Sequence, residues 1–211
     1  MTQTRQRPAR YDRVAISLHW LIAFMILGLL AAGFIMTGLD HADPLKYQLY
    51  QLHKSFGITV LALSLVRLAW RLAHPKPAMP ETMKAWESFA AHAAHWAFYG
   101  LMIGMPMAGW LGVSASPLGI PTRIFNLFTL PHLPVYSGSV ADIPPGDSSA
   151  HTVSESLFEI HAALAWCIIV LLALHIGAAL KHHFVVKDDV LLRMTPQFLH
   201  RMLKTMRGQN A

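Results

Sequence analysis

Long apolar runs alternate with shorter polar stretches along the 211 residues of the chain. The first run, Val14 to Leu39, holds no formal charge, and three more apolar runs follow it. A helix of about 20 apolar residues crosses the hydrocarbon of a membrane. We therefore predict a single all-α membrane domain over residues 1–211, a four-helix bundle with spans at about 14–38, 50–72, 88–112 and 158–182.

The longest polar stretch, residues 113–157, separates the third and fourth spans and is rich in Pro, Gly, Ser and Asp. Within this loop, Ile124 to Leu133 is partly apolar, which favours a short helix lying at the membrane surface. Pro106 inside the third span predicts a kink, because proline removes a backbone N–H from the helix.

Composition changes the class of protein to be considered. Apolar residues make up 54% of the chain and charged residues 13%, against about 25% charged in ordinary soluble domains. This balance argues against a water-soluble enzyme and indicates a protein surrounded by lipid. The net charge of +6 does not indicate nucleic acid, because the basic residues cluster at the ends of apolar runs. The single cysteine, Cys167, excludes a disulfide framework.

The basic residues also predict orientation. Of the 17 Lys and Arg residues, 14 lie in the N-terminal tail, between the second and third runs, or after the fourth run. The other three, Lys46, Lys54 and Arg123, lie in or beside the two remaining loops. Because positive residues accumulate on the cytoplasmic side of membrane proteins, we predict that both termini are cytoplasmic.

Thirteen histidines are unusual in such a chain, because histidine is costly in hydrocarbon. Four of them fall at two depths: His19 and His175 near the cytoplasmic ends of spans one and four, and His53 and His161 near the outer ends of spans two and four. His161 and His175 are 14 residues apart, about 40° short of four turns, so they project from nearly the same helix face.

Two facing histidines at each of two depths suit a haem iron with two axial imidazoles. Zinc would need three or four ligands around one point. No CxxCH stretch is present, so the expected cofactors are two b-type haems, one on His19 and His175 and one on His53 and His161. The alternative is that each histidine only hydrogen-bonds a neighbouring helix.

Several stretches resemble the bacterial cytochrome b561 family, four-helix di-haem cytochromes of the inner membrane. They are SLHW at 17–20, LHKSFGI at 52–58, VRLAWRL at 66–72, AHAAHWAFY at 91–99, EIHAALAW at 159–166 and LHIGAALKHHFVVKDDVLLRM at 174–194. The resemblance implies the same four haem ligands and an inner-membrane location. It also implies electron exchange with the ubiquinone pool, most specifically oxidation of superoxide to dioxygen with reduction of ubiquinone.

Two further groups of residues are candidates for binding. His95 and His183 lie on the predicted cytoplasmic side, where a quinone needs hydrogen-bond partners and a proton source; water or lipid headgroups are the alternative partners. Lys54, Arg67 and Arg71 are cations at membrane depth that could pair with haem propionates or extend their charges to the interface.

The predicted outer side carries few cations among six acidic residues, which weakens the attraction for superoxide. We therefore keep a second hypothesis, an electron-transfer cytochrome b subunit that serves a periplasmic or membrane redox protein docked on residues 113–157. A third is a protein that uses its histidines to move protons or metal ions.

Overall fold

Four long helices dominate the computed structural model, which describes residues 10–40, 42–80, 82–135 and 149–208. They are α1 (Arg13–Gly38), α2 (Pro44–Ala73), α3 (Ala85–Ala115) and α4 (Ser149–Lys181). Each is long and apolar enough to cross a membrane. The prediction of a helical membrane fold with four spans is confirmed.

Side chains at the helix starts explain where α1 and α2 begin. The Asp12 carboxylate accepts a hydrogen bond from the Ala15 amide at 2.9 Å, and Asp43 accepts one from the Leu45 amide at 2.8 Å. Both aspartates therefore satisfy backbone donors that a helix start leaves unpaired. Pro44 occupies the first position of α2, where proline costs no hydrogen bond.

The chain packs as two compact units. Each unit contains one segment of every long helix. Unit 1 comprises residues 1–21, 65–99 and 169–211, and unit 2 comprises residues 22–64 and 100–168. Ile16 and Tyr99 are buried in unit 1, while Ile22, Met102 and Ile168 are buried in unit 2.

The C-terminal segment of unit 1 is folded rather than extended. After α4 come a π-helical turn (His182–Val186), α5 (Val190–Met194), a 3-10 turn (Gln197–Leu199) and α6 (His200–Met206). The Trp20 indole of α1 donates to the carbonyl of Met194 at 2.8 Å. This bond ties the C-terminal segment to the helix turn that carries His19.

The loop between α3 and α4 differs from expectation. Instead of a short helix over residues 124–133, the structure has a β-hairpin of β1 (Thr122–Ile124) and β2 (Phe128–Leu130), with Arg123 opposite Thr129. Phe125 and Asn126 both have positive φ, 47° and 59°, which is the backbone of a type I′ turn. The apolar residues that suggested a helix are therefore placed on a hairpin.

The boundaries of three helices also move. α3 continues through Pro106 and extends beyond the predicted span at both ends, and α2 begins at Pro44. α4 takes in residues 149–157, which were predicted as loop. The apolar pattern predicts the membrane-embedded part of a helix, whereas these helices also include polar turns. Residues 136–148 of the predicted loop lie outside the described residues.

Candidate functional site

The structure brings the four predicted haem ligands together as two pairs. In unit 1, the ring centroids of His19 and His175 are 6.2 Å apart, with an interplanar angle of 63°. In unit 2, those of His53 and His161 are 6.1 Å apart, with an angle of 64°. All four rings are half-buried within helices that otherwise present apolar residues.

These separations can be compared with metal coordination. A metal–imidazole bond is about 2 Å long and the ring centroid lies about 1 Å beyond the nitrogen, so two imidazoles on opposite sides of one metal have centroids about 6 Å apart. Each pair has this spacing. Among the described residues, no group of three or more His, Cys, Asp or Glu side chains could hold a metal ion, so a site of zinc type is not formed there.

The His161 ring is held by the backbone of α3. Its Nδ1 donates to the carbonyl of Met105 at 2.9 Å, which leaves Nε2 as the nitrogen with a free lone pair. A Cβ added at Gly109 would lie 3.0 Å from His161 Nδ1. Glycine at this position therefore lets the ring pack directly against the helix backbone.

An apolar cavity adjoins the second pair and is bordered by both His53 and His161. Aliphatic side chains form most of the wall, including Ile26, Leu29, Val60, Leu101 and Ile168. Gly57 also borders the cavity, and a Cβ there would meet no atom within 4 Å. The residues of unit 2 therefore fit a flat apolar macrocycle held by two imidazoles.

The first pair has more polar surroundings. The Arg67 guanidinium donates to His19 Nδ1 at 3.1 Å and lies over the Tyr99 ring, 5.8 Å from its centroid. On the other side of the pair, the rings of His95 and Phe98 lie 5.9 Å and 5.3 Å from that of His175. A cation and a third imidazole therefore flank this pair.

A second, polar cavity of about 260 Å³ opens in unit 1. It is lined by Tyr11, Arg71, Lys76, Pro77, Met79, His92 and His95. His95 Nδ1 donates to the carbonyl of Ala91 at 2.6 Å, so its Nε2 is a hydrogen-bond acceptor. His92 is fixed in the same tautomer by a bond to Ser88, but its Nε2 accepts from Lys76 at 3.2 Å.

The other sequence candidates have separate surroundings. His183 is fully buried, and its Nε2 donates to the carbonyl of Leu203 at 3.1 Å; it is not among the residues lining the polar cavity. The Lys54 ammonium donates to the carbonyl of Pro121 at 2.8 Å. Arg71 lines the polar cavity and lies over the rings of Trp96 and Tyr99.

Sequence reasoning did not identify Met105, Gly109, Tyr11 or Lys76 as parts of these sites. Met105 acts through its carbonyl and Gly109 through the absence of a side chain, and neither property has a sequence signature. Lys76 lies in a proline-rich connector, where a composition-based interpretation predicts only a turn.

Comparisons with known proteins identify the family of the chain. Residues 10–197 match the family model for prokaryotic cytochrome b561. The chain is 33% identical over 187 residues to cytochrome b561 homolog 2 of Escherichia coli (strain K12), covering 89% of this chain and 92% of that protein. It is 27% identical over 190 residues to the probable superoxide oxidase CybB of Yersinia pestis, with 89% and 97% covered. Cytochrome b561 homolog 1 of Escherichia coli is 26% identical over 193 residues, with 89% and 98% covered.

Substituting Gly109 by alanine should weaken cofactor binding at the His53–His161 pair. The added methyl group would meet the His161 ring at 3.0 Å and push it away from its bond to Met105. Losing such a supporting contact costs about 10- to 100-fold in metal affinity. The haem-to-protein ratio of the purified variant should therefore fall below that of the parent.

Gly100→Ala is the matched control for this experiment. Gly100 lies on the same helix and is exposed, and a Cβ there would meet no atom within 4 Å. Both variants gain the same helix propensity, so only the contact with His161 differs. Equal haem content in the two variants would contradict the role given to Gly109.

Proposed function

Because the chain belongs to the prokaryotic cytochrome b561 family, in which electron transfer is the shared function, we propose that it carries electrons across a bacterial membrane through two b-type haems. The observation that carries this proposal is the presence of one histidine pair in each unit, with ring centroids 6.2 Å and 6.1 Å apart.

We further propose an inner-membrane location with both termini in the cytoplasm, since 14 of the 17 basic residues lie on that side of the predicted topology.

His19 and His175 would hold one haem, and His53 and His161 the other. A haem held by two histidines in this way would supply one-electron transfer. Arg67 and Arg71, both in unit 1, are the candidate partners for haem propionates. Lys54 is a third candidate, although its ammonium donates to the carbonyl of Pro121.

The polar cavity is the candidate quinone site. Its wall residue His95 is in ring contact with His175, so a ligand there would lie beside the proposed haem ligand. Arg71 can donate a hydrogen bond to a quinone carbonyl, and His95 Nε2 can accept a hydrogen bond from a hydroxyl of the quinol product. His183 was the other candidate; because it does not line this cavity, the proposal rests on His95.

The specific reaction we propose is superoxide oxidation coupled to ubiquinone reduction. Two superoxide anions each lose one electron and become dioxygen, while one ubiquinone gains two electrons and two protons and becomes ubiquinol. The name of the Yersinia pestis relative supports this reaction. The second candidate is a subunit that receives electrons from a periplasmic or membrane redox protein, and the scarcity of cations in the predicted outer loops favours it.

The haem assignment can be tested with His161→Ala, which removes one ligand of the unit 2 pair. We expect the variant to lose that haem and keep the other, because the His19–His175 pair is unchanged. The pyridine haemochrome assay gives the haem-to-protein ratio, and the low-spin ferric signals in electron paramagnetic resonance identify the haem that remains.

His151→Ala serves as the control, because His151 is an exposed histidine on the same helix and pairs with Glu155 at the surface. If His161→Ala retains two haems at full occupancy, the pairing is wrong. If neither the parent nor either variant shows a b-type spectrum, the haem proposal itself fails.

The reaction can be tested by rapid mixing of the oxidised, haem-loaded protein with superoxide, followed by a soluble ubiquinone. We expect superoxide to reduce the b-haem absorption bands and ubiquinone to reoxidise them. Intact haems that respond to ubiquinol but not to superoxide would reject the specific reaction and favour the partner-dependent subunit.

His95→Leu should slow the exchange of electrons with quinone while leaving the haem content unchanged. The variant loses the group assigned to accept a hydrogen bond from the quinol hydroxyl, which costs about 1–3 kcal/mol, or roughly 5- to 150-fold in ubiquinol affinity. Rates of haem reduction at varied ubiquinol concentrations provide the measurement. His74→Leu, an exposed histidine in unit 1, should behave as the parent, and equal rates in the two variants would remove His95 from the site.

A further inference from the structure

The hairpin between α3 and α4 exposes an unusual amount of apolar surface. Leu127 is 81% exposed and Phe128 58%, and Phe125 beside them is 41% exposed. Leu118, just before the hairpin, is 75% exposed. Contiguous apolar groups of this kind are rare on surfaces that face water and commonly mark a contact with lipid or protein.

The hairpin is fixed to α2 by side-chain hydrogen bonds. Gln51 and Lys54 both donate to the carbonyl of Pro121, at 3.1 Å and 2.8 Å. Ser55 donates to the carbonyl of Arg123 at 3.0 Å and accepts from the amide of Phe125 at 3.0 Å. The exposed tip is therefore held in a defined position on α2.

That position coincides with a change in the character of α2. Before Gln51 the helix carries polar residues, including Lys46 and Gln48, and from Leu52 onward it is mostly apolar. The residues that fix the hairpin lie at this change, where a spanning helix passes from headgroups into hydrocarbon. The Phe125 ring also lies 5.1 Å from that of Phe56, which is 40% exposed on α2.

We propose that the hairpin tip, residues 125–128, inserts into the interfacial layer of the bilayer and that lipid is what covers it. The tip continues the lipid-facing surface of α2 through the contact between Phe56 and Phe125. It also contains aromatic and aliphatic side chains and no formal charge, a composition suited to the boundary between headgroups and acyl chains.

This placement has consequences for unit 2. A membrane-embedded hairpin keeps the Pro121 carbonyl at the lipid boundary, and with it the Lys54 ammonium beside His53. It also removes the tip from the surfaces to which a water-soluble redox partner could dock. A soluble electron donor would then approach unit 2 from another part of its surface.

Spin labelling of the full-length, haem-loaded protein in lipid nanodiscs tests the proposal. In a Cys167→Ser background, Leu127→Cys carries a nitroxide whose collisions with dioxygen, enriched in lipid, are compared with those of a water-soluble nickel complex. Leu27→Cys, half-exposed within α1, provides the lipid reference, and Ser156→Cys, exposed on α4, the water reference.

We expect the label at position 127 to resemble that at position 27, with a ratio of dioxygen to nickel accessibility severalfold above that at position 156. A ratio equal to that at position 156 would overturn the proposal, because the tip would then face water. Low accessibility to both reagents would also overturn it, since protein would then cover the tip. Phe128→Cys repeats the measurement if Leu127→Cys does not retain the parent haem spectrum.

Discussion

An imidazole among apolar helices needs a partner for both of its nitrogens, and this requirement organises both units. Leaving a polar group unpaired in a low-dielectric medium costs about 1–3 kcal/mol or more. In His161, one ring nitrogen donates a hydrogen bond to the Met105 carbonyl. The ring lies at a distance from the His53 ring that would allow the other nitrogen to share a metal with His53. His53 Nδ1 is buried without a hydrogen-bond partner among the described residues. The stability of this site therefore depends on what the remaining nitrogen of each ring binds.

The two pairs lie in different surroundings. The wall beside His53 and His161 is almost entirely aliphatic, and the histidines are the titratable groups among its described lining residues. Around His19 and His175 there are instead two arginines, a third histidine and a polar cavity. Aliphatic walls suit a group that only exchanges electrons, whereas a site that binds a quinone also needs groups that hold protons. The asymmetry therefore agrees with placing the proton-coupled step in unit 1.

The sequence predicts the histidine pairs because they follow from two regular quantities, depth along a helix and angle around it. His161 and His175 share a face of α4, and each has a partner at a similar depth on another span. The hairpin is harder to predict because its type I′ turn is made by Phe125 and Asn126, without the glycine that usually signals such a turn. The polar cavity depends on the hydrogen bond between Lys76, in the α2–α3 connector, and His92 on α3. No periodicity in the sequence predicts that contact.

The hydrogen-bond donors of Arg67 and Arg71 also distinguish the roles of these two residues. A guanidinium can only donate, and an imidazole that binds iron through Nε2 keeps its proton on Nδ1. The bond from Arg67 to His19 Nδ1 is therefore incompatible with a neutral His19 bound to iron through Nε2. If His19 were to hold iron in that form, Arg67 would need another acceptor for its hydrogen bond, and the carboxylates of the haem would supply one. Arg71 contacts Trp96 and Tyr99 through its flat face and lines the polar cavity, so its donors can serve a ligand there. We therefore propose Arg67 as the partner of a haem carboxylate and Arg71 as the hydrogen-bond donor to a quinone.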